Sequence, residues 1–185
     1  MSDERPRWGD THGHPGCYGC QICWECVLDE LEVDRPTLFL DIDGVLNSMD
    51  YLKANPGAFD RKDVTRALDP AACARLEAVL TRTNAVIVVS SVWRLNHSRG
   101  ELQRFLHQRG AHSAQVVGVT PHLCGRRGHD IQGWMDDQPI LSTRYAIVDD
   151  DSDMEHLMDK LVKTSFQHGL LDEHVERLVA MLNGA

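Results

Sequence analysis

Two short apolar runs each end in a carboxylate, and nothing else in the chain narrows its possible folds so sharply. Thr37-Leu-Phe-Leu leads into Asp41, and Tyr145-Ala-Ile-Val leads into Asp149. A third run, Ala85-Val-Ile-Val-Val, leads into Ser90. Runs that are apolar throughout and rich in β-branched residues belong to strands buried on both faces, as in parallel sheets. Between them the periodicity is helical. Ala72, Leu76, Val79 and Leu80 follow an Asp69-Pro70 start, Leu102, Phe105 and Leu106 precede Gly110, and Ile131 and Trp134 mark a short helix over 130–135. Residues 115–119 and 161–164 read as further strands, residues 47–69 as polar and irregular, and Asp172 as the cap of a last helix buried through Val175, Leu178, Val179 and Leu182. Strands alternating with helices predict an α/β fold whose parallel sheet has right-handed crossovers. Ligands of such sheets bind outside the carboxyl ends of the strands, so Asp41, Ser90 and Asp149 are expected at one edge.

The chain has 185 residues, 42% hydrophobic and 25% charged, the mix of a globular domain with a small appendage. No apolar run approaches the roughly 20 residues that span a bilayer, so no membrane is expected as a partner. Met1–Asp10 is polar and charged, unlike a secretory signal, which makes a reducing cytoplasm the expected setting. The net charge of −9 argues against indiscriminate nucleic-acid binding. Yet residues 94–129 carry six arginines against the single acid Glu101, either a zone that steers an anionic substrate or a solvated helix face.

Four local patterns carry chemistry. In Asp41-Ile-Asp43-Gly44, a carboxylate can attack a phosphoryl group, and a second carboxyl two residues on can protonate the leaving oxygen and later activate water. Gly44 permits the sharp turn this needs. Two acids beside a phosphate repel it unless a cation intervenes, and hard oxygen ligands with substrate phosphate suit magnesium. In Ser90-Ser91-Val-Trp-Arg94, hydroxyls at a strand end form a phosphate site to which Arg94 adds a charged fork. In Arg126-Arg127-Gly-His-Asp, a cation at a helix start can neutralise the nucleophile and the transferring group. In Asp149-Asp150-Asp151-Ser-Asp153, clustered acids either hold a cation or favour a helix N-terminus.

These segments (DIDGVLN, VVSSVWR, RRGHDIQGWM and IVDDDSDM), in this order, resemble the four signatures of the haloacid-dehalogenase (HAD) superfamily of phosphatases. The closest likeness is to the HAD domains of RNA-repair proteins, relatives of polynucleotide kinase-phosphatase, and LVKTSFQHGLL resembles that group's ending. The resemblance implies a Rossmann-like fold over residues 35–185 and a magnesium-dependent phosphomonoester hydrolase working through an aspartyl-phosphate. It implies Asp41 as nucleophile and magnesium ligand, and Asp43 as acid/base, with its backbone carbonyl on the metal. Ser90 would hold the phosphoryl oxygen, or Ser91 if the strand ends one residue later, and Arg127, or else Arg126, is the cation. Asp149 and Asp150 complete the metal site with support from Asp153, while Gly44, Ser91 and Arg94 line the substrate. HAD specificity usually comes from an inserted cap. The intervals from Gly44 to Val86 and from Arg94 to Arg127 are too short for a sizeable one, so an open site is expected. That favours a polynucleotide end or nucleotide phosphate as substrate. The alternatives are a small-molecule phosphatase or nucleotidase, and an inactive nucleic-acid-binding adaptor.

Residues 1–34 stand apart. They hold Cys17, Cys20, Cys23 and Cys26, four of the six cysteines, each separated by two residues. Too short for a core of its own, the segment reads as a metal knuckle in which four thiolates bind a structural zinc. An iron–sulfur cluster or free thiols are the alternatives.

Overall fold

The computed structural model describes residues 35–60, 62–123, 125–137 and 144–184. Five strands form one sheet: β1 (Thr37–Leu40), β2 (Val86–Val89), β3 (Val116–Val119), β4 (Tyr145–Asp149) and β5 (Leu161–Lys163). Their spatial order is β3-β2-β1-β4-β5, and every pairing is parallel. The chain thus builds outward from β1 on one side, returns, and places β4 on the other side. The reversal lies at β1, where an open parallel sheet leaves a crevice at its carboxyl edge.

Alternation along the strands divides the core into two layers. Leu38, Leu40, Ile87, Val89 and Val148 face one side, against α2 (Pro70–Thr83), α3 (Arg99–Gln108) and α5 (Asp172–Leu182). Phe39, Val88 and Ile147 face the other, against Ile131 of α4 (Arg127–Asp137) and the turn carrying Met154 and Leu157. Trp134 closes this smaller layer, edge-on to Phe39 at 5.6 Å between ring centroids. Local signals set the helix ends. Asp69 accepts from the Ala71 N–H with Pro70 at the first helical position. Ser98 and Glu101 form a capping box.

Two expectations needed correction. Residues 47–69 are not simply irregular: Ser48 caps a short helix, α1 (Met49–Ala54), and two 3-10 turns follow at Pro56–Ala58 and Val64–Ala67. Elements this short have no periodicity to read. Asp172 is not the cap of α5 but its first residue; Leu171 precedes the helix, and Asp172 pairs with Arg75 of α2 at 2.7 Å. Among the described residues no cap domain interrupts the fold. Only α1, the two turns and α2 separate β1 from β2, and a turn, α3 and β3 separate β2 from α4. None of the described helices is long and apolar enough to cross a membrane.

Candidate active site

The sheet register sets three polar residues side by side. Leu40 pairs with Val89 on one side and Val148 on the other, so Ser90, Asp41 and Asp149 follow at adjacent strand ends. Main-chain bonds pin them: Asp41 N–H donates to Val148 O at 3.0 Å and Ser90 N–H to Leu40 O at 2.9 Å. After Asp41 the chain turns through Gly44, whose φ of +75° only glycine adopts freely. The Thr164 hydroxyl donates to Gly44 O at 2.8 Å and ties this turn to the end of β5. The carboxyl of Asp150 folds over Gly44 so closely that no side chain fits beneath it. As a result Asp41, Asp149 and Asp150 each bring a carboxylate oxygen within 4.8 Å of the others.

Such an arrangement is electrostatically costly. Asp41 is 3% exposed and Asp149 fully buried. Desolvation, then the charge of Asp149, raises the Asp41 pKa from 3.8 to about 7, although Arg127 and the Ser91 hydroxyl work the other way. Desolvation likewise raises Asp149 to about 6 against the lowering effect of Arg127, and it raises Asp150 in direction. One guanidinium thus faces three carboxyls. Converging hard oxygen donors with a deficit of positive charge fit a divalent cation such as magnesium, with Asp41, Asp149 and Asp150 as the side chains that would hold it.

The guanidinium is that of Arg127. Its Nη2 lies 3.2 Å from Asp41 and its Nε 3.1 Å from Asp149, while Nη1 donates to Ser90 O. Neighbouring Arg126 lies exposed against Glu155 instead. What aims Arg127 is the start of α4. Asp153 accepts the Arg127 N–H on its side chain at 2.9 Å and the Gly128 N–H on its carbonyl at 3.1 Å. A Cβ on Gly128 would meet Met154 O at 2.4 Å, so glycine is required for this approach. Asp153 thus caps α4 from outside it and also stands just before the 3-10 turn Glu155–Lys160, as expected of an acid that precedes a helix.

Asp43 stands apart from the three-acid cluster. It accepts from Asn47 Nδ2 at 2.8 Å and from the Trp93 indole N–H, which lies 3.2 and 3.1 Å from its two oxygens. Asn47 in turn takes the Gly44 N–H at 3.0 Å. Sequence reasoning missed both donors, since an aromatic residue after a buried strand reads as core.

Ser90 and Ser91 are fully buried, and neither hydroxyl makes a well-formed hydrogen bond. Ser91 lies near enough to Asp41 to favour its ionised form. Arg94, expected to contact substrate, is turned inward and its side chain is 4% exposed. Its Nε donates to Thr120 O, Nη1 to Ser90 O and Ser91 O, and Nη2 to Pro121 O and Asp130. All five donors are taken, so Arg94 braces the loops behind Ser90 and Ser91. The arginines of residues 94–129 are not alike: Arg99 donates to Val116 O and Arg109 to Leu68 O and the Tyr51 hydroxyl, whereas the side chains of Arg104 and Arg126 are exposed. Cys17, Cys20, Cys23 and Cys26 lie outside the described residues.

No curated protein and no solved structure matches the chain. One family model does, that of the HAD domain in Swiss Army Knife RNA repair proteins, over residues 37–175. That interval runs from β1 into α5 and contains every residue of the acid cluster with its arginine and both serines. With most of the chain matched and the α/β sheet of the expected kind in place, this protein belongs to the family of HAD domains found in Swiss Army Knife RNA repair proteins.

Proposed function

We propose that the protein is a magnesium-dependent phosphomonoester hydrolase that forms an aspartyl-phosphate on Asp41 and acts on polynucleotide ends or nucleotides. The observation that carries this reading is the convergence of Asp41, Asp149 and Asp150 with Arg127 at the carboxyl edge of the sheet. A cation held by the three carboxylates would offset their repulsion for the phosphoryl oxygens. The Arg127 guanidinium and the Ser91 or Ser90 hydroxyl hold those oxygens over Asp41. A carboxylate oxygen of Asp41 bonds to phosphorus as the bond to the leaving oxygen breaks, and Asp43 gives that oxygen its proton. Asp43 then takes a proton from water as the water attacks phosphorus, which frees Asp41 and releases inorganic phosphate. Each group ends the cycle as it began.

The substrate class rests on two supports. The family is that of domains in RNA repair proteins. No cap covers the described strand ends, which leaves room for a polymer. The test compares 3′- and 5′-phosphorylated oligonucleotides with mononucleotides and a sugar phosphate, with and without magnesium. A higher kcat/KM on oligonucleotides, lost on chelation, supports the proposal. Preference for the free metabolites transfers the protein to the small-molecule phosphatases, and retained binding without turnover makes it an adaptor. For Cys17, Cys20, Cys23 and Cys26 we propose a structural zinc, to be checked by metal analysis of the purified chain.

A further inference from the structure

Asp43 is held differently from Asp41 and Asp149. Arg127 lies against both Asp41 and Asp149. The hydrogen-bond partners of the Asp43 side chain, among the described residues, are two neutral donors, Asn47 Nδ2 and the Trp93 indole. Asn47 claims Oδ1 at 2.8 Å, whereas the indole N–H is shared almost evenly between both oxygens. Oδ2 therefore has only the shared donor among those described, and it is the oxygen on which a proton meets least competition.

The indole itself is fixed. Trp93 lies in the Val92–Leu95 turn that begins directly after Ser91, and it packs against the larger core layer. His97 lies against it with ring centroids 5.8 Å apart and planes tilted by 48°, and Phe105 of α3 meets His97 edge-on at 5.1 Å. Indole is a donor only, so it cannot exchange a proton with the acid it holds. Such a holder fixes the direction of the carboxyl while leaving Oδ2 facing the site.

We propose that Trp93 is a positioning residue for proton transfer: its indole N–H holds the Asp43 carboxyl in the orientation from which Oδ2 protonates the leaving oxygen. This rests on the reading of Asp41 as nucleophile and Asp43 as acid/base. It places a requirement for chemistry in the VSSVWR segment beyond its serines.

The test is the dependence on leaving group. Full-length protein is compared with Trp93→Phe on two esters, p-nitrophenyl phosphate, whose leaving group departs without a proton, and a 3′-phosphorylated oligonucleotide, whose alkoxide needs one. For Trp93→Phe, kcat/KM on the oligonucleotide should fall about tenfold or more, and on the nitrophenyl ester less than about threefold. A second variant with benzothienyl-alanine at position 93 keeps the shape, replaces N–H by sulfur, and should show the same split. Equal losses on both esters, or none on either, would overturn the role of Trp93 while leaving the phosphatase intact. A parent chain that hydrolyses neither ester, or an Asp41→Asn variant that hydrolyses both, removes the catalytic reading and this inference with it.

Discussion

The carboxyl of Asp150 lies across Gly44 so closely that a Cβ built on the glycine would meet Asp150 Cγ at 2.4 Å. Gly44 also has φ +75°, where an L-residue is strained by about 1–2 kcal/mol. Gly44→Ala should therefore cost about that much stability in chemical denaturation and swing Asp150 away from Asp41 and Asp149. Turnover should fall about tenfold, and a magnesium titration should recover part of it, because the loss is one of metal affinity.

Asp41→Asn should abolish turnover and yet stabilise the metal-free protein at neutral pH. The Asp41 pKa is raised by folding from 3.8 to about 7, and that of Asp149 from 3.8 to about 6. Between these limits the folded state binds more protons than the unfolded one, so stability falls as pH rises. The favourable contribution is complete below about 3.8 and gone once pH passes about 7. Metal-free Asp41→Asn should thus melt several degrees above the parent near pH 8, with the gap closing toward about pH 4. Magnesium should raise the parent's Tm more near pH 8 than near pH 5, where protons compete for the same oxygens. Thermal unfolding in chelator and in magnesium measures both.

Arg127 and Arg126 should differ sharply. Arg127→Ala leaves Asp41 and Asp149 without their guanidinium and should lower kcat/KM about 100-fold or more. Arg127→Lys should recover only part of this, since a point charge cannot reach two carboxylates and the Ser90 carbonyl at once. Arg126→Ala, at an exposed pair with Glu155, should stay within about twofold of the parent.

Arg94→Lys should act on stability and hardly on KM. The guanidinium satisfies four main-chain carbonyls and the buried Asp130. A lysine leaves several of these unpaired, at a cost of about 3 kcal/mol in urea unfolding. A large rise in KM with unchanged stability would instead return Arg94 to the substrate.

The parts of this protein legible in its sequence are those fixed by strand geometry. Asp41 and Asp149 end apolar runs, and a parallel sheet leaves such residues only one edge to occupy. The choice between Arg126 and Arg127 was not legible, because it depends on how closely the Gly128 main chain approaches Met154. Arg94 misled for a similar reason. Its partner Asp130 lies 36 positions away, and a buried pair between two polar residues has no local pattern. Helix α1 spans six residues, fewer than two turns, and so shows no apolar face. Trp93 pairs its apolar face with the core and its single N–H with Asp43, and only the first of these roles is written in hydropathy.

In synthesis order β1 comes first and β4 fourth, yet the two are neighbours in the sheet. A growing chain that has completed β1, β2 and β3 still has one edge of β1 bare, and its Asp41 has neither Asp149 nor Arg127 within reach. Such a chain can be compact and yet chemically silent. On the proposed mechanism turnover should begin only with the insertion of β4, so the first appearance of activity during translation or refolding should be a clock for closure of the sheet rather than for collapse of the core.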